Sequence, residues 1–379
     1  MTSISLDQPN ITFTLGTTAE LIKVAPVMRE MQLRNIIFDV VGTGQHHLPA
    51  TELFPLLGLN DRFSQLVAPP DGSGSLTFAR WCVKAQRAAS REFRSRAAAN
   101  PRSRSIVVVH GDTVSTIIGA NSAKRAGFRV AHIEAGLRSG NFLKPFPEEL
   151  DRALTARFAD FHFCPYSSAV DNLRRAKGQK INTFANTNLD ALRWALAQTS
   201  SPASKIVDDV PFFILIFHRQ ENLMNMELAR LVFALAIKSA KRMKCVLVAH
   251  PNTLATLKKL GLLDEIEANH NVVLMERQPY LSFISLLSKA SMIWTDGGGN
   301  QQECSYIGIP TLILRDRTES EEGLKRNVVV GGVSEHVISE FFNDYERYRF
   351  PLSMPDLFPA KTIVDTLCAA IEERSEGTP

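Results

Sequence analysis

Residues 105–152 read SIVVVHGDTVSTIIGANSAKRAGFRVAHIEAGLRSGNFLKPFPEELDR, and this stretch decides the fold class. Residues 106–109 and 129–133 are apolar runs of strand length, separated by a segment long enough for a helix. Each run leads into a carboxylate, Asp112 and Glu134. In an α/β unit of this kind both acids emerge at the carboxyl ends of parallel strands, the edge at which open α/β sheets bind ligands. Glu148 and Glu149 follow Pro-Phe-Pro at the expected first turn of the next helix, which aims a further acid at the same edge. Three acids are therefore expected at one crevice.

The same alternation extends in both directions. Toward the N-terminus, residues 11–16 predict a strand ending in glycine, residues 19–34 an amphipathic helix, residues 36–44 a second strand, and residues 51–59 a helix before a polar loop at 67–75. Toward the C-terminus come a strand at 161–165, a helix at 167–177, a strand at 181–185 and a helix at 186–196. Residues 199–209 are polar and aperiodic, the best candidate for an interdomain linker. Strand runs at 212–218, 245–250, 272–276, 292–296 and 311–315 then begin a second doubly wound series, and residues 362–374 predict a final amphipathic helix.

At 379 residues the chain exceeds the size at which single cores stop growing, so two domains are expected. Hydrophobic residues make up 45 % and charged residues 22 %, with no apolar run long enough to span a membrane and no basic-then-apolar leader. These features lead us to expect a cytoplasmic enzyme. The five cysteines, Cys82, Cys164, Cys245, Cys304 and Cys368, are widely spaced and read as buried thiols rather than a disulfide or zinc framework. The net charge of +4 owes part of its excess to Arg87, Arg91, Arg94, Arg96, Arg102 and Arg104. Without interleaved aromatic residues this run is expected to be a solvated face, with an anionic partner or subunit contact as the alternative, and no nucleic-acid partner is expected.

Each chemical motif carries a structural alternative. The stretch 295–303, TDGGGNQQE, is a strand end, three glycines and a helix start with Asn300 as a possible cap. Glycines let a phosphate approach the backbone N–H groups of a helix N-terminus, although a tight structural turn uses the same residues. Glu303 is either an acceptor for ribose hydroxyls or a first-turn acid favoured by the helix dipole. His218 heads the polar cluster HRQEN, either as proton donor to a leaving phosphate or as a helix cap. His46, His47, His110, His132 and His250 read as buried structural histidines, and no set of them has metal-ligand spacing. Glu148 is a catalytic acid or an i, i+4 partner of Arg152; Asp112 and Glu134 are catalytic acids, a loop cap beside Thr113, or partners of Arg138.

The segments HGDT, HIEAGLRSG, PFPEELDR, HRQEN, HPN, RQPYLSF and DGGGNQQE, in this order, resemble the UDP-N-acetylglucosamine 2-epimerases, and the resemblance covers residues 16–332. It implies a glycosyltransferase-B-like architecture. Two Rossmann-like doubly wound domains would face an interdomain cleft: residues 1–199 carrying the sugar and catalytic acids, residues 200–357 binding the nucleotide, and residues 358–379 forming a helix that crosses back to the first domain. By position, Asp112, Glu134, Glu148 and His218 match the family's catalytic residues. Lys23, Gln278, Phe283, Gly298, Gly299 and Glu303 match its nucleotide-binding ones, with Phe283 near the base, and Arg138, Arg219 and Gly297 complete the expected substrate-binding set. The family chemistry eliminates UDP to a glycal and adds it back on the other face, which requires two acid/base groups, no cofactor and no metal. Asp112 and Glu148 are read as the facing proton-transfer pair, Glu134 as orienting or sharing that role, and His218 as the group on the departing phosphate. A UDP-sugar substrate, a homodimer and a role in surface polysaccharide synthesis follow from the same resemblance.

Departures from the family pattern cluster on the phosphates. Thr18 and Ser320 stand where arginines are usual, Gly297 replaces a serine of the phosphate loop, and GQHH replaces a QHR pattern near a regulatory site. Each loss removes about 1.5–3 kcal/mol of charge-assisted binding unless a neighbour substitutes. Arg219, Arg315, Arg317, Lys325 and Arg326 are the nearby cations. The leading expectation is a non-hydrolysing 2-epimerase. A hydrolysing relative that releases UDP and free N-acetylmannosamine, a sugar transferase of the same architecture, and a catalytically silent nucleotide-sugar sensor are the alternatives.

Overall fold

The computed structural model describes residues 10–71, 74–99, 105–138, 148–198, 210–318, 320–332 and 334–376, excluding the side chains of residues 75, 148, 149 and 374–376. The expected linker at 199–209, part of the loop at 67–75, the Pro-Phe-Pro segment at 145–147 and two of the arginines, Arg102 and Arg104, lie outside the described residues. Two units divide the chain: Met1–Ala191 with Leu357–Pro379, and Leu192–Asp356.

The first unit carries strands β1 (Ile11–Leu15), β2 (Phe38–Gly42), β3 (Phe63–Gln65), β4 (Ile106–His110), β5 (Arg129–Ile133), β6 (Phe161–Cys164) and β7 (Gln179–Asn182). They form one sheet in the order β3-β2-β1-β4-β5-β6-β7, every pair parallel. Central strands covered on both faces must be apolar throughout, and β1 and β4 are buried at every position. The strand order reverses between β1 and β4, so the ends of these two strands open the crevice in which such sheets bind ligands. The last helix, Pro359–Glu376, belongs to this unit: Arg34 pairs with Asp365 at 2.6 Å, and Ala360 N–H donates to Asp190 Oδ2 at 2.7 Å.

The second unit repeats the plan with β8 (Phe212–Ile216), β9 (Lys244–Ala249), β10 (Val272–Glu276), β11 (Met292–Thr295), β12 (Thr311–Ile313) and β13 (Val328–Val330). Their order is β10-β9-β8-β11-β12-β13, again parallel, with the reversal between β8 and β11. Trp294, fully buried on β11, meets Phe213 of β8 at 5.0 Å between ring centroids, and Phe342 closes over the pair.

The sequence expectation needs four corrections in the elements. The short strands β3 and β13 were not anticipated, since three-residue edge strands carry too little pattern to stand out. The helix expected over 167–177 ends at Asn172, and the strand expected over 181–185 is β7, ending at Asn182 because Phe184 takes a left-handed φ of 59°. The helix expected over 51–59 shrinks to Leu53–Leu56 around Pro55. Three cysteines are buried as expected, whereas Cys82 and Cys368 are only half-buried. Arg87, Arg91 and Arg94 are exposed, but Arg96 turns inward to Asp39 and Glu92 at 2.7 Å each.

Gly16, at the end of β1, sets how closely the switch point can close. A Cβ there would stand 1.9 Å from Ser115 Oγ and 2.8 Å from Thr43 Oγ1, two hydroxyls already bonded to each other. Overpacking of this kind costs about 1–3 kcal/mol. Gly16→Ala is therefore expected to lower the melting temperature of the protein by about 5 °C. Calorimetry showing no change would mean that the turn has slack.

Candidate active site

The switch point of the first unit is organised by a buried acid. Thr17 caps the helix Thr18–Leu33, and Glu20, three residues on, reaches back to complete a capping box. Glu20 Oε2 accepts from the N–H groups of Gly16 and Thr17 at 2.6 and 2.8 Å; its Oε1 accepts from Thr113 Oγ1 at 2.5 Å and Thr116 Oγ1 at 3.2 Å. Burial raises the pKa of this carboxyl, and the four donors oppose the rise. Glu20 thereby ties the turn after β1 to the turn after β4, which carries Gly111 and Asp112. Nothing in GTTAE marked this acid, because a capping glutamate and a tertiary hub look alike in one dimension.

Asp112 and Glu134 leave adjacent strands. His110 pairs with Ile133 across β4 and β5, and Gly111 N–H donates to Ile133 O at 3.0 Å. Asp112 Oδ2 stands 2.5 Å from Arg152 on the helix Glu148–Phe158, so Arg152 serves Asp112, a partner that the i, i+4 reading with Glu148 did not foresee. Glu148 opens that helix. Glu134 takes a left-handed φ of 63°, a conformation that costs a residue with a Cβ about 1–3 kcal/mol and is held only where surroundings fix it.

What fixes Glu134 is charge. Lys23 Nζ lies 2.6 Å from Oε2, Asn186 Nδ2 donates to the same oxygen, and His110 Nε2 is 3.7 Å away. Burial pushes this carboxyl up, but the Lys23 and Arg152 cations and the Asn186 amide outweigh it and hold the acid well below the usual carboxylate range. His110 is itself pushed down to about 3, mainly by burial, and stays neutral. Arg138, the partner expected for Glu134, donates from Nη1 to Leu137 O at 2.9 Å.

The Lys23 pair also has a pH signature. Because the folded-state pKa of Glu134 is depressed, its contribution is present above the unfolded value and lost as pH falls through the folded value. Lys23→Met leaves a buried carboxylate with its nearest cation removed, so a loss of about 3 kcal/mol is expected at pH 7. That gap should narrow in acid as Glu134 protonates in the variant; urea titrations at several pH values showing a constant gap would refute the pairing.

In the second unit the reversal between β8 and β11 brings together His218, which follows β8, and Asp296, which follows β11. Asp296 is fully buried; its carboxylate accepts from the N–H of Arg219 at 2.9 Å, the N–H of His218 at 3.1 Å and Asn222 Nδ2 at 3.1 Å. His218 Nδ1 stands 2.9 Å from Asp296 Oδ1. Burial raises the Asp296 pKa, but His218 and these donors bring it below its ordinary value. His250 stacks on the His218 ring with centroids 4.6 Å apart, and burial depresses its pKa to about 4. Gly297 caps the helix Gly298–Ile307, and a Cβ on Gly298 would meet Arg315 Nη2 at 3.9 Å, so a guanidinium overlies the glycine turn. Arg219 reaches Glu221 at 3.4 Å, and Gln278 donates to Glu276 O at 2.9 Å. Phe283 is 8 % exposed, leaving little of its ring open to a base. Glu303, also buried, accepts from Asn300 Nδ2 at 3.2 Å.

A family model described as UDP-N-acetylglucosamine 2-epimerase matches residues 91–348. The UDP-N-acetylglucosamine 2-epimerase of Methanococcus maripaludis is 32 % identical over 339 residues, 86 % of this chain and 88 % of its own. That of Neisseria meningitidis is 30 % identical over 344 residues, again 86 % and 88 %. The chain belongs to the UDP-N-acetylglucosamine 2-epimerase family. Solved structures of family members agree. The Methanocaldococcus jannaschii UDP-GlcNAc 2-epimerase, in complex with UDP-GlcNAc and UDP, superposes with a TM-score of 0.78 at 27 % identity, covering 95 % of this chain and 99 % of that one. The Neisseria meningitidis enzyme bound to UDP-GlcNAc gives 0.79 at 28 % identity with the same coverage. The fold is glycosyltransferase-B-like, built from two Rossmann-like units, and the protein is an epimerase-family enzyme.

This epimerase departs from its family at positions the structure accounts for locally. Thr18 N–H donates to His46 Nδ1 at 3.3 Å, and the His46 N–H donates to Gly16 O at 2.7 Å, so the loop after β2 covers the turn after β1. His46 and His47 are thereby exposed rather than buried, and His250 is half-buried, against the sequence expectation. Ser320 is turned inward: its Oγ accepts from Gln302 at 3.2 Å and its carbonyl from Gln301 at 3.0 Å. Among the described residues no helix is long and apolar enough to cross a membrane.

Proposed function

We propose that this enzyme inverts C2 of a UDP-2-acetamido sugar of the UDP-N-acetylglucosamine type by eliminating and re-adding UDP. The observation that supports this best is the contrast between two acids on neighbouring strand ends. Glu134 is locked as an anion by Lys23 and Asn186, whereas Asp112 meets Arg152 and remains partly exposed. A fixed anion orients a substrate; a less constrained carboxylate can exchange a proton.

In this reading one of Asp112 and Glu148 removes the C2 proton while the C1–O bond to UDP breaks and a C1–C2 double bond forms. His218, set by Asp296, serves the departing phosphate. The other acid then delivers a proton to the opposite face of C2 as UDP adds back to C1. Atoms and electrons balance without redox, so no cofactor or metal is called for. Lys23, Arg138, Arg219, Gln278, Phe283, Gly297, Gly298, Gly299 and Glu303 are the substrate-binding set, and Arg315 over the glycine turn supplies phosphate charge in place of the arginines absent at 18 and 320. Supply of a manno-configured precursor for surface polysaccharide, a cytoplasmic location and a homodimer complete the proposal.

Incubation with UDP-N-acetylglucosamine in deuterated water tests it. Deuterium at C2 of the recovered nucleotide sugar is the expected result. Free N-acetylmannosamine with UDP would instead establish the hydrolysing reaction, which the altered positions 18, 297 and 320 favour as second reading because weaker phosphate contacts let UDP leave before it re-adds. No exchange and no hydrolysis would remove both.

A further inference from the structure

The backbone does not require glycine at position 297. Its φ of −88° and ψ of 127° are extended values open to any residue. Space requires it. A Cβ on Gly297 would stand 2.8 Å from Asn300 Oδ1, 3.3 Å from Thr295 Oγ1 and 3.4 Å from His218 Cε1. The Asn300 side chain, folded back from the first turn of the helix Gly298–Ile307, thus lies against the volume that a side chain at 297 would fill.

In that place Asn300 makes two directional contacts. Its Oδ1 accepts from Thr295 Oγ1 at 3.2 Å, and its Nδ2 donates to Glu303 Oε2 at 3.2 Å. Thr295 Oγ1 in turn accepts from the N–H of Gly297 at 2.9 Å. A continuous set of hydrogen bonds therefore runs from the strand end through the glycine turn to the acid one turn into the helix. Glu303 is 5 % exposed and also lies beside the Tyr280 hydroxyl, and a carboxyl group so deeply buried depends on each hydrogen bond it retains.

We propose that Asn300 is a positioning residue for nucleotide binding: it fills the room left by the missing side chain at 297 and holds Glu303 in the rotamer that receives the ribose hydroxyls. The inference rests on Glu303 being the ribose acceptor of the proposed function. Gly297 and Asn300 then form an exclusive pair, because a hydroxymethyl group at 297 and the present Asn300 rotamer cannot occupy the same space. The turn is adapted to binding by a different residue from the one the family pattern supplies, at the cost of the serine hydroxyl.

Steady-state kinetics and UDP calorimetry on Asn300→Ala, Asn300→Asp, Gly297→Ser and the Gly297→Ser/Asn300→Ala double variant provide the test. Asn300→Ala should raise KM and the UDP Kd roughly tenfold, the effect of losing one buried hydrogen bond, while kcat changes little. Asn300→Asp should bind more weakly still, since it sets a carboxylate beside Glu303. Gly297→Ser should act by displacing Asn300, so the double variant should be no weaker than Asn300→Ala alone. Unchanged KM and Kd in Asn300→Ala, or single-variant effects that multiply in the double variant, would overturn the inference while leaving the nucleotide reading standing. Wild-type protein that binds no UDP would overturn that reading and the inference with it.

Discussion

Asp112→Asn is expected to lower C2 proton exchange by about 10²–10⁴-fold, the usual contribution of a positioned acid or base, while UDP binding stays within a few-fold of wild type. The amide keeps the size of the side chain and leaves one oxygen to meet Arg152, which now stands 2.5 Å from the carboxylate. It removes the capacity to take up a proton, together with the charge that faces Arg152. Asp112 is about a quarter exposed but Arg152 only 9 %, so the amide leaves a buried guanidinium with a weaker partner and a drop in stability is expected beside the loss of exchange. Exchange is read by mass spectrometry of nucleotide sugar recovered from deuterated buffer, and binding by UDP calorimetry. Exchange and UDP binding falling together would make Asp112 a structural partner of Arg152. Exchange that persists would move the proton transfer to another group.

His218→Asn carries the second large effect, an expected loss of about 10²–10⁴ in kcat, the contribution typical of a histidine acid/base. The structure gives the physical reason. Asp296 is fully buried, held below its ordinary pKa, and 2.9 Å from His218 Nδ1, so its charge acts on that side of the imidazole although the two atoms are not aligned for a hydrogen bond. In the proposed mechanism Nε2 is then the nitrogen that faces the departing phosphate. His250, stacked on the ring and depressed to about 4, adds no positive charge beside it at neutral pH. Asp296→Asn should reduce kcat less than His218→Asn does, because it acts through the imidazole, and combining the two should add little. Rates measured with saturating nucleotide sugar decide the matter. A His218→Asn enzyme of normal kcat and raised KM would show that the ring only binds.

Several of these residues were legible in one dimension for a definite reason. Asp112 and Glu134 follow strand runs of one parallel sheet and His218 and Gly297 those of the other, and in a parallel sheet every such position lies at one edge, so chain order predicts that each pair gathers at the edge of its own sheet. Glu20, Asn186 and Asp296 were not legible as site residues. Glu20 joins turns 93 residues apart through Thr113, and Asn186 reaches Glu134 across 52 residues. Such separations leave no local pattern. Nor does the sequence distinguish exposed His46 from buried His110, since that difference comes from the loop after β2 lying over the turn after β1.

The sequence by itself determined two doubly wound units, the chain order of the acids and the imidazole, and the positions at which this enzyme lacks its family's phosphate groups, because strand periodicity and short motifs are local properties. Only the tertiary structure decided that Glu134 is held as an anion by Lys23 and Asn186, while Asp112 meets Arg152 at a partly exposed position. It also decided that Asn300 takes the room a side chain at 297 would need. Protonation and free volume depend on what long-range packing places within a few ångströms, and no local pattern encodes that.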